Sequence, residues 1–226
     1  MIAAITGTAL KKQYTGRRMQ VGTEYGEVDL IEFEGNLILP RHGIEHQTPP
    51  HRINHKAHLK ALKKSGVKGV YGFCSTGSLK KNIPPGTYVI AEDYLSLQQD
   101  PTYHDETIKH VTPGFSEKLR ENLLKACNKT NINPLYEGIY AHLPGPRLET
   151  KAEVRMLSQH ADLVGMTAGW EATLACELEM EYACLCTVDN WANGVGEETP
   201  DYRKISEKAG ENIVQTKKII QQLWRA

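Results

Sequence analysis

The chain has 226 residues, 40% of them hydrophobic and 24% charged, a balance that suits a soluble globular domain and excludes collagen-like or disordered classes. Lys plus Arg and Asp plus Glu number 27 each, so the formal charge is zero. Proteins that live on nucleic-acid phosphates carry a basic excess, so bulk binding to nucleic acid or to an anionic membrane surface is disfavoured. No stretch approaches the roughly 18 consecutive apolar residues that span a bilayer.

In chain order, short β-branched apolar runs alternate with helical patterns, which argues for one α/β domain over residues 1–226 with no internal boundary. Strands are expected at Met1–Ile5, Val28–Phe33, Leu37–Leu39, Val67–Phe73, Tyr88–Ala91, Leu135–His142, Leu163–Met166 and Tyr182–Val188. Helices are expected at His55–Lys64, Ser116–Asn128, Thr150–His160 and Trp170–Glu179, with a last one running unbroken from Asp201 to Trp224. Leu95–Thr112 is polar and aperiodic and is expected to be a long, functional loop. The amino terminus has no basic residue before its apolar part, and Gly7 interrupts it, so a cytoplasmic chain is expected. Five cysteines without a Cys-x-x-Cys spacing fit buried thiols in a reducing compartment.

Several strand ends carry polar residues. Thr6-Gly7-Thr8 can turn backbone amides and a hydroxyl towards an anion, as any strand-ending turn could. Arg41 and His42 follow a strand directly and would suit an oxyanion, which an arginine fork can grip with two bonds. Five histidines fall between residues 42 and 58, and their spacing also permits a metal or a solvated surface, although Pro49 and Pro50 forbid one continuous helix through them. Thr150 and Glu153 form a capping-box pattern, which explains both but leaves Glu149 free for a ligand. Thr167 and Glu171 follow one apolar run and Asp189-Asn190 another; an Asn there can donate and accept together, as recognition of an adjacent ring nitrogen and carbonyl requires.

Arg41-His42-Gly43, Pro49-Pro50-His51-Arg52-Ile53-Asn54, Thr76-Gly77-Ser78-Leu79, Gly145 to Thr150, Val164-Gly165-Met166-Thr167 and Asn190-Trp191-Ala192-Asn193-Gly194 stand in an order and spacing that resembles the trimeric purine nucleoside phosphorylases. The branch that handles methylthioadenosine and methylthioinosine is the most similar. The resemblance implies a single-domain phosphorylase fold with a central mixed sheet flanked by helices. It also implies a homotrimer or multiple of trimers working in purine salvage, with inorganic phosphate as co-substrate and neither metal nor other cofactor. Carried over, the phosphate site comprises Thr8, Arg41, His42, Ser75 and Thr167; Met166 lies by the ribose, and Glu149 and Asn190 hold the base. His110 resembles a residue that reaches into a neighbouring subunit's site. This sequence departs from the family pattern at the Thr6-Gly7-Thr8-Ala9 turn, at His55 and at Asp189.

Members acting on 6-aminopurines resemble one another in having Ser in place of Glu149 and Asp in place of Asn190. The pair therefore points to phosphorolysis of inosine, guanosine or 5′-methylthioinosine to free base and a ribose or methylthioribose 1-phosphate. The alternatives are a methylthioadenosine phosphorylase, a nucleoside-binding protein without turnover and a metal-dependent hydrolase built on the histidines.

Overall fold

The computed structural model describes residues 1–7 and 15–225. Its strands are β1 (Ile2–Thr6), β2 (Arg17–Thr23), β3 (Gly26–Phe33), β4 (Asn36–Pro40), β5 (Gly69–Ser78), β6 (Tyr88–Ile90), β7 (Asp93–Ser96), β8 (Ile139–His142), β9 (Leu163–Gly165) and β10 (Glu181–Trp191). The helices are α1 (His55–Lys64), α2 (Glu117–Lys129), α3 (Lys151–Leu157), α4 (Ala168–Glu177), α5 (Tyr202–Glu211) and α6 (Ile213–Trp224). All ten strands join one mixed sheet in the order β2-β3-β4-β1-β5-β9-β8-β7, with β10 paired to β5 and β6. None of the described helices is long and apolar enough to cross a membrane.

The sheet's two faces follow from the period-2 alternation of its central strands. Ala3, Ile5, Val70, Cys74, Cys184 and Cys186 face a core that includes Leu59 and Leu62 of α1 and Leu174 of α4. Ala4, Tyr71, Phe73, Ala183 and Leu185 face the opposite core, closed by Leu123 of α2 and Ile219 and Leu223 of α6. Four of the five cysteines are buried and all five are free thiols, in keeping with the expectation from their spacing.

β5 organises the molecule. It runs parallel to β1 on one side and β10 on the other, and its last residues, Gly77 and Ser78, pair antiparallel with β9. The carboxyl ends of β1, β4, β5 and β10 therefore open on the same side as the turn after β9, where α/β sheets hold ligands. The β5–β10 register shifts between Val188 and Asn190. That bulge leaves Asp189 as the extra residue and re-aims the end of β10.

The structure corrects the sequence reading in four places. β2 is a solvent-facing edge strand in which only Met19 and Val21 turn towards the core, too weak an alternation to see in Arg-Arg-Met-Gln-Val-Gly-Thr. The segment expected to be loop from Leu95 begins as β7, which pairs in parallel with β8. The expected Leu135–His142 strand is only Ile139–His142, with Gly138 at φ 159° before it and Leu135 bridging Val89 alone.

The last expected helix is two. Asn212 ends α5 and begins α6. Its side chain accepts from the Tyr88 hydroxyl at 3.0 Å and donates to Asp189 at 3.2 Å, so the chain bends to bring that amide onto the sheet. Removing these bonds in Asn212→Ala should lower stability by about 1–2 kcal/mol in urea unfolding; an unchanged midpoint would mean that the bend is set elsewhere.

Candidate active site

A cavity of about 440 Å³ at the strand ends is lined by Gly7, Arg41, His42, Ser75, Glu149, Met166, Thr167 and Asn190, together with Tyr202, Ile205 and Ser206 of α5. Seven residues singled out from the sequence thus share one wall. Thr8 lies outside the described residues. His110 is exposed in the segment 97–116 and does not line this cavity. That segment is anchored at its start, where Tyr103 bonds its amide to Glu177 at 2.7 Å and its hydroxyl to the Lys56 carbonyl at 2.6 Å.

Arg41 enters from the end of β4 and is 2% exposed. Its Nε and Nη2 donate to the two oxygens of Glu171 at 2.5 and 3.0 Å, Nη1 to the Phe73 carbonyl at 2.9 Å, and Nη2 to Cys74 Sγ at 3.6 Å. The two-bond grip expected for an oxyanion is therefore made with Glu171. Arg41 lines the cavity with one Nη1 hydrogen outside these bonds. Burial works against the guanidinium charge, but Glu171 holds Arg41 protonated well above the ordinary arginine range. Tyr182 completes Glu171 by donating its hydroxyl at 2.8 Å. A Cβ on Gly7 would stand 2.7 Å from Nη1, so this turn needs glycine to let the guanidinium lie beneath it.

His42 places Nδ1 2.8 Å from the Thr48 carbonyl, to which it donates. Its pKa is pushed down to about 4, first by burial and then by Arg41. The neutral ring consequently offers the cavity an Nε2 lone pair beside Gly7. Thr167 caps α4 without bonding its hydroxyl to that helix's amides, while its own amide donates to the Tyr140 hydroxyl at 3.1 Å. Gly165 makes room for that hydroxyl, which a Cβ would meet at 2.3 Å.

On the far side, Glu149 is buried between a turn and the α3 capping box, and burial raises its carboxyl above the usual range despite Arg147 nearby. Asn193 donates to the Glu149 carbonyl at 3.2 Å. Asn190 gives one amide hydrogen to the Trp191 carbonyl at 2.7 Å, leaving the other hydrogen and Oδ1 for a ligand. Among the described residues, no three His, Cys, Asp or Glu side chains converge as metal ligands would. His42 packs on His46 with ring centroids 4.8 Å apart, and His55 sits edge-on to Trp170.

Sequence reasoning missed three supports: Glu171 as the partner of Arg41, Tyr140 beneath Thr167, and Asp189 against Ser75. Each is distant in sequence from the group it holds, so no local spacing signals it. The entry of α5 into the wall is likewise invisible in a sequence whose amphipathic period runs on through Ile205, Ala209, Ile213 and Ile220.

A model of the phosphorylase superfamily matches residues 11–225, and the chain belongs to that superfamily. It is 42% identical to a protein of Archaeoglobus fulgidus described as a probable 6-oxopurine nucleoside phosphorylase, over 98% of this chain and 95% of that one. It is 36% identical to a Methanocaldococcus jannaschii protein described as a probable S-methyl-5′-thioinosine phosphorylase, over 93% and 86%. The fold matches methylthioadenosine phosphorylase from Schistosoma mansoni in complex with adenine, with a TM-score of 0.88 over 99% of this chain and 90% of that one at 22% identity.

Removing one partner of a buried ion pair costs about 3–5 kcal/mol, because it strands the other charge. Glu171→Gln should therefore destabilise the protein on that scale in urea unfolding, whereas Arg17→Ala, at the exposed pair with Glu32, should change it little. Equal effects would show that the Arg41–Glu171 pair does not hold the site.

Proposed function

We propose that this enzyme is a purine nucleoside phosphorylase of the 6-oxopurine type, cleaving inosine, guanosine or 5′-methylthioinosine with inorganic phosphate. The observation that carries the reading is that Glu149 and Asn190, a pair suited to a 6-oxopurine edge, face the same cavity as Arg41, His42, Ser75 and Thr167. Glu149 accepts the N1–H of the base, and Asn190 donates its free amide hydrogen to O6 and accepts from a proton at N7. Phosphate lies at the opposite end, over Arg41, His42 and the two hydroxyls.

A phosphate oxygen then forms a bond to C1′ as the C1′–N9 bond breaks. The sugar passes through an oxocarbenium-like state, and the electron pair of the broken bond leaves with the purine, which takes up one proton from solvent at N7, where Asn190 accepts a hydrogen bond from it. No protein nucleophile is needed; positioning and preorganised dipoles lower the barrier. Met166 lies between the two ends and faces the ribose. In this reading no metal or organic cofactor takes part, and the enzyme serves purine salvage in the cytoplasm. It works as a homotrimer in which His110 completes a neighbour's site, consistent with the outward placement of its loop.

Hydrogen-bond direction gives the test. Against a 6-aminopurine, ionised Glu149 meets an unprotonated N1 lone pair to lone pair, and each unmade buried bond costs about 1–3 kcal/mol. In the presence of phosphate, kcat/KM for inosine or methylthioinosine should exceed that for adenosine or methylthioadenosine by roughly tenfold to a thousandfold. Asn190→Asp should narrow or reverse the ratio. Protonation weakens the Glu149 acceptor for N1–H and gives it an O–H to donate to the bare N1 of a 6-aminopurine, so the ratio for the unmodified enzyme should also fall as the pH is lowered. Faster cleavage of methylthioadenosine than of both inosine and methylthioinosine would overturn the assignment of the base readers.

A further inference from the structure

Asp189 is the extra residue of the β10 bulge and stands between the candidate phosphate site and the carboxy-terminal helices. Ser75, on the cavity wall, donates its hydroxyl to one carboxylate oxygen, and Asn212 donates to the other at 3.2 Å. Asp189 is 5% exposed and also borders a second cavity of about 720 Å³, which adjoins the first through Asn190 and Ile205. A serine has one proton to give. While that proton lies on Asp189, Ser75 can show an incoming oxyanion only its lone pairs. The His42 Nε2 beside Gly7 is a lone pair too, so an anion carrying at most one proton meets two acceptors.

We propose that Asp189 is a positioning residue that sets the direction of the Ser75 hydroxyl, so that anion binding at Ser75 is coupled to uptake of one proton by Asp189. The inference rests on the reading of Ser75 as part of the phosphate site. A proton from solvent settles on the carboxylate oxygen that had accepted from Ser75. Protonated Asp189 then donates to Ser75 Oγ, and the serine proton turns to the anion. Negative charge near the anion falls by one unit with no change of backbone.

The surroundings make this proton available. Burial pushes the Asp189 carboxyl up to about 6, against the pull of hydrogen bonds from Ser75 and Thr187. From α5, Lys208 lowers it and Glu211 raises it. Tyr88 of β6 faces it across Asn212. Lys81, Glu197, Glu198, Asp201 and Lys204 stand around the second cavity. His42, at about 4, does not titrate in the same range. Glu149 on the shared wall does shift upward, so a variant at Asp189 must separate the two.

Sulfate has the shape of phosphate and does not itself titrate near neutrality, so its binding reports only the protein's protons. Sulfate affinity of the full-length enzyme, measured by calorimetry and by competition against phosphate, should be level below about pH 6 and weaken roughly tenfold for each pH unit above it. Asp189→Asn presents an N–H to Ser75 at every pH and should hold affinity within about twofold across the range, at the level of the unmodified enzyme's acid limb. Asp189→Thr, also uncharged, should flatten the profile as well and guards against a folding defect in the first variant. Sulfate that competes with phosphate but binds independently of pH overturns the proposal alone, as does an unchanged slope in both variants. Sulfate that fails to compete with phosphate at any pH overturns the phosphate-site reading and this proposal together.

Discussion

The buried ion pair between Arg41 and Glu171 is the constraint on which the site is built. Two charges taken out of water are tolerated only when almost every donor and acceptor around them is used, and here Phe73, Cys74 and Tyr182 supply the remaining partners. Those partners come from β5 and β10, while Glu171 belongs to α4 and Arg41 to the end of β4. The Arg41–Glu171 pair thus ties β4, β5 and β10 to α4 beside the cavity. The glycine at residue 7 and the neutral state of His42 both follow from that burial, the first from space and the second from desolvation and a neighbouring positive charge.

With most of Arg41 engaged internally, the cavity is less cationic than the sequence suggests. Arg41 with one Nη1 hydrogen outside its internal bonds, a neutral imidazole and the hydroxyls of Ser75 and Thr167 line one part of it among the described residues. Directions of individual protons then matter more than net charge, because each hydroxyl and each imidazole nitrogen can act in one role at a time. The β10 bulge serves both ends of the cavity. It sends Asn190 into the cavity that Glu149 also lines and Asp189 to Ser75, and Asn212, at the bend between α5 and α6, bonds to that Asp189.

Much of this was legible in the chain. The strand ends at Arg41-His42, at Gly165-Met166-Thr167 and at Asn190 carry their own signal, since polar residues abruptly follow β-branched runs, and six such motifs in order resemble the phosphorylases. Thr150 and Glu153 alone signal the α3 capping box, which is present. What escaped depends on distance in sequence. Glu171 lies 130 residues from Arg41, and Ser75 lies 114 from Asp189, so neither pairing leaves a local pattern. β2 and β7 escaped for another reason: each is a short edge strand whose side chains face water as much as core, and its stability comes from β3 or β8 rather than from its own composition.

Phosphate must end up covalently on the sugar if the cavity works as its geometry implies. Phosphorus NMR of the purified enzyme with inosine and inorganic phosphate follows this directly, alongside release of hypoxanthine. The account predicts one sugar 1-phosphate formed for each base released, and no base released when phosphate is withheld. Base released at the same rate without phosphate, with free ribose as the product, would contradict it, as would nucleoside that binds and is never cleaved.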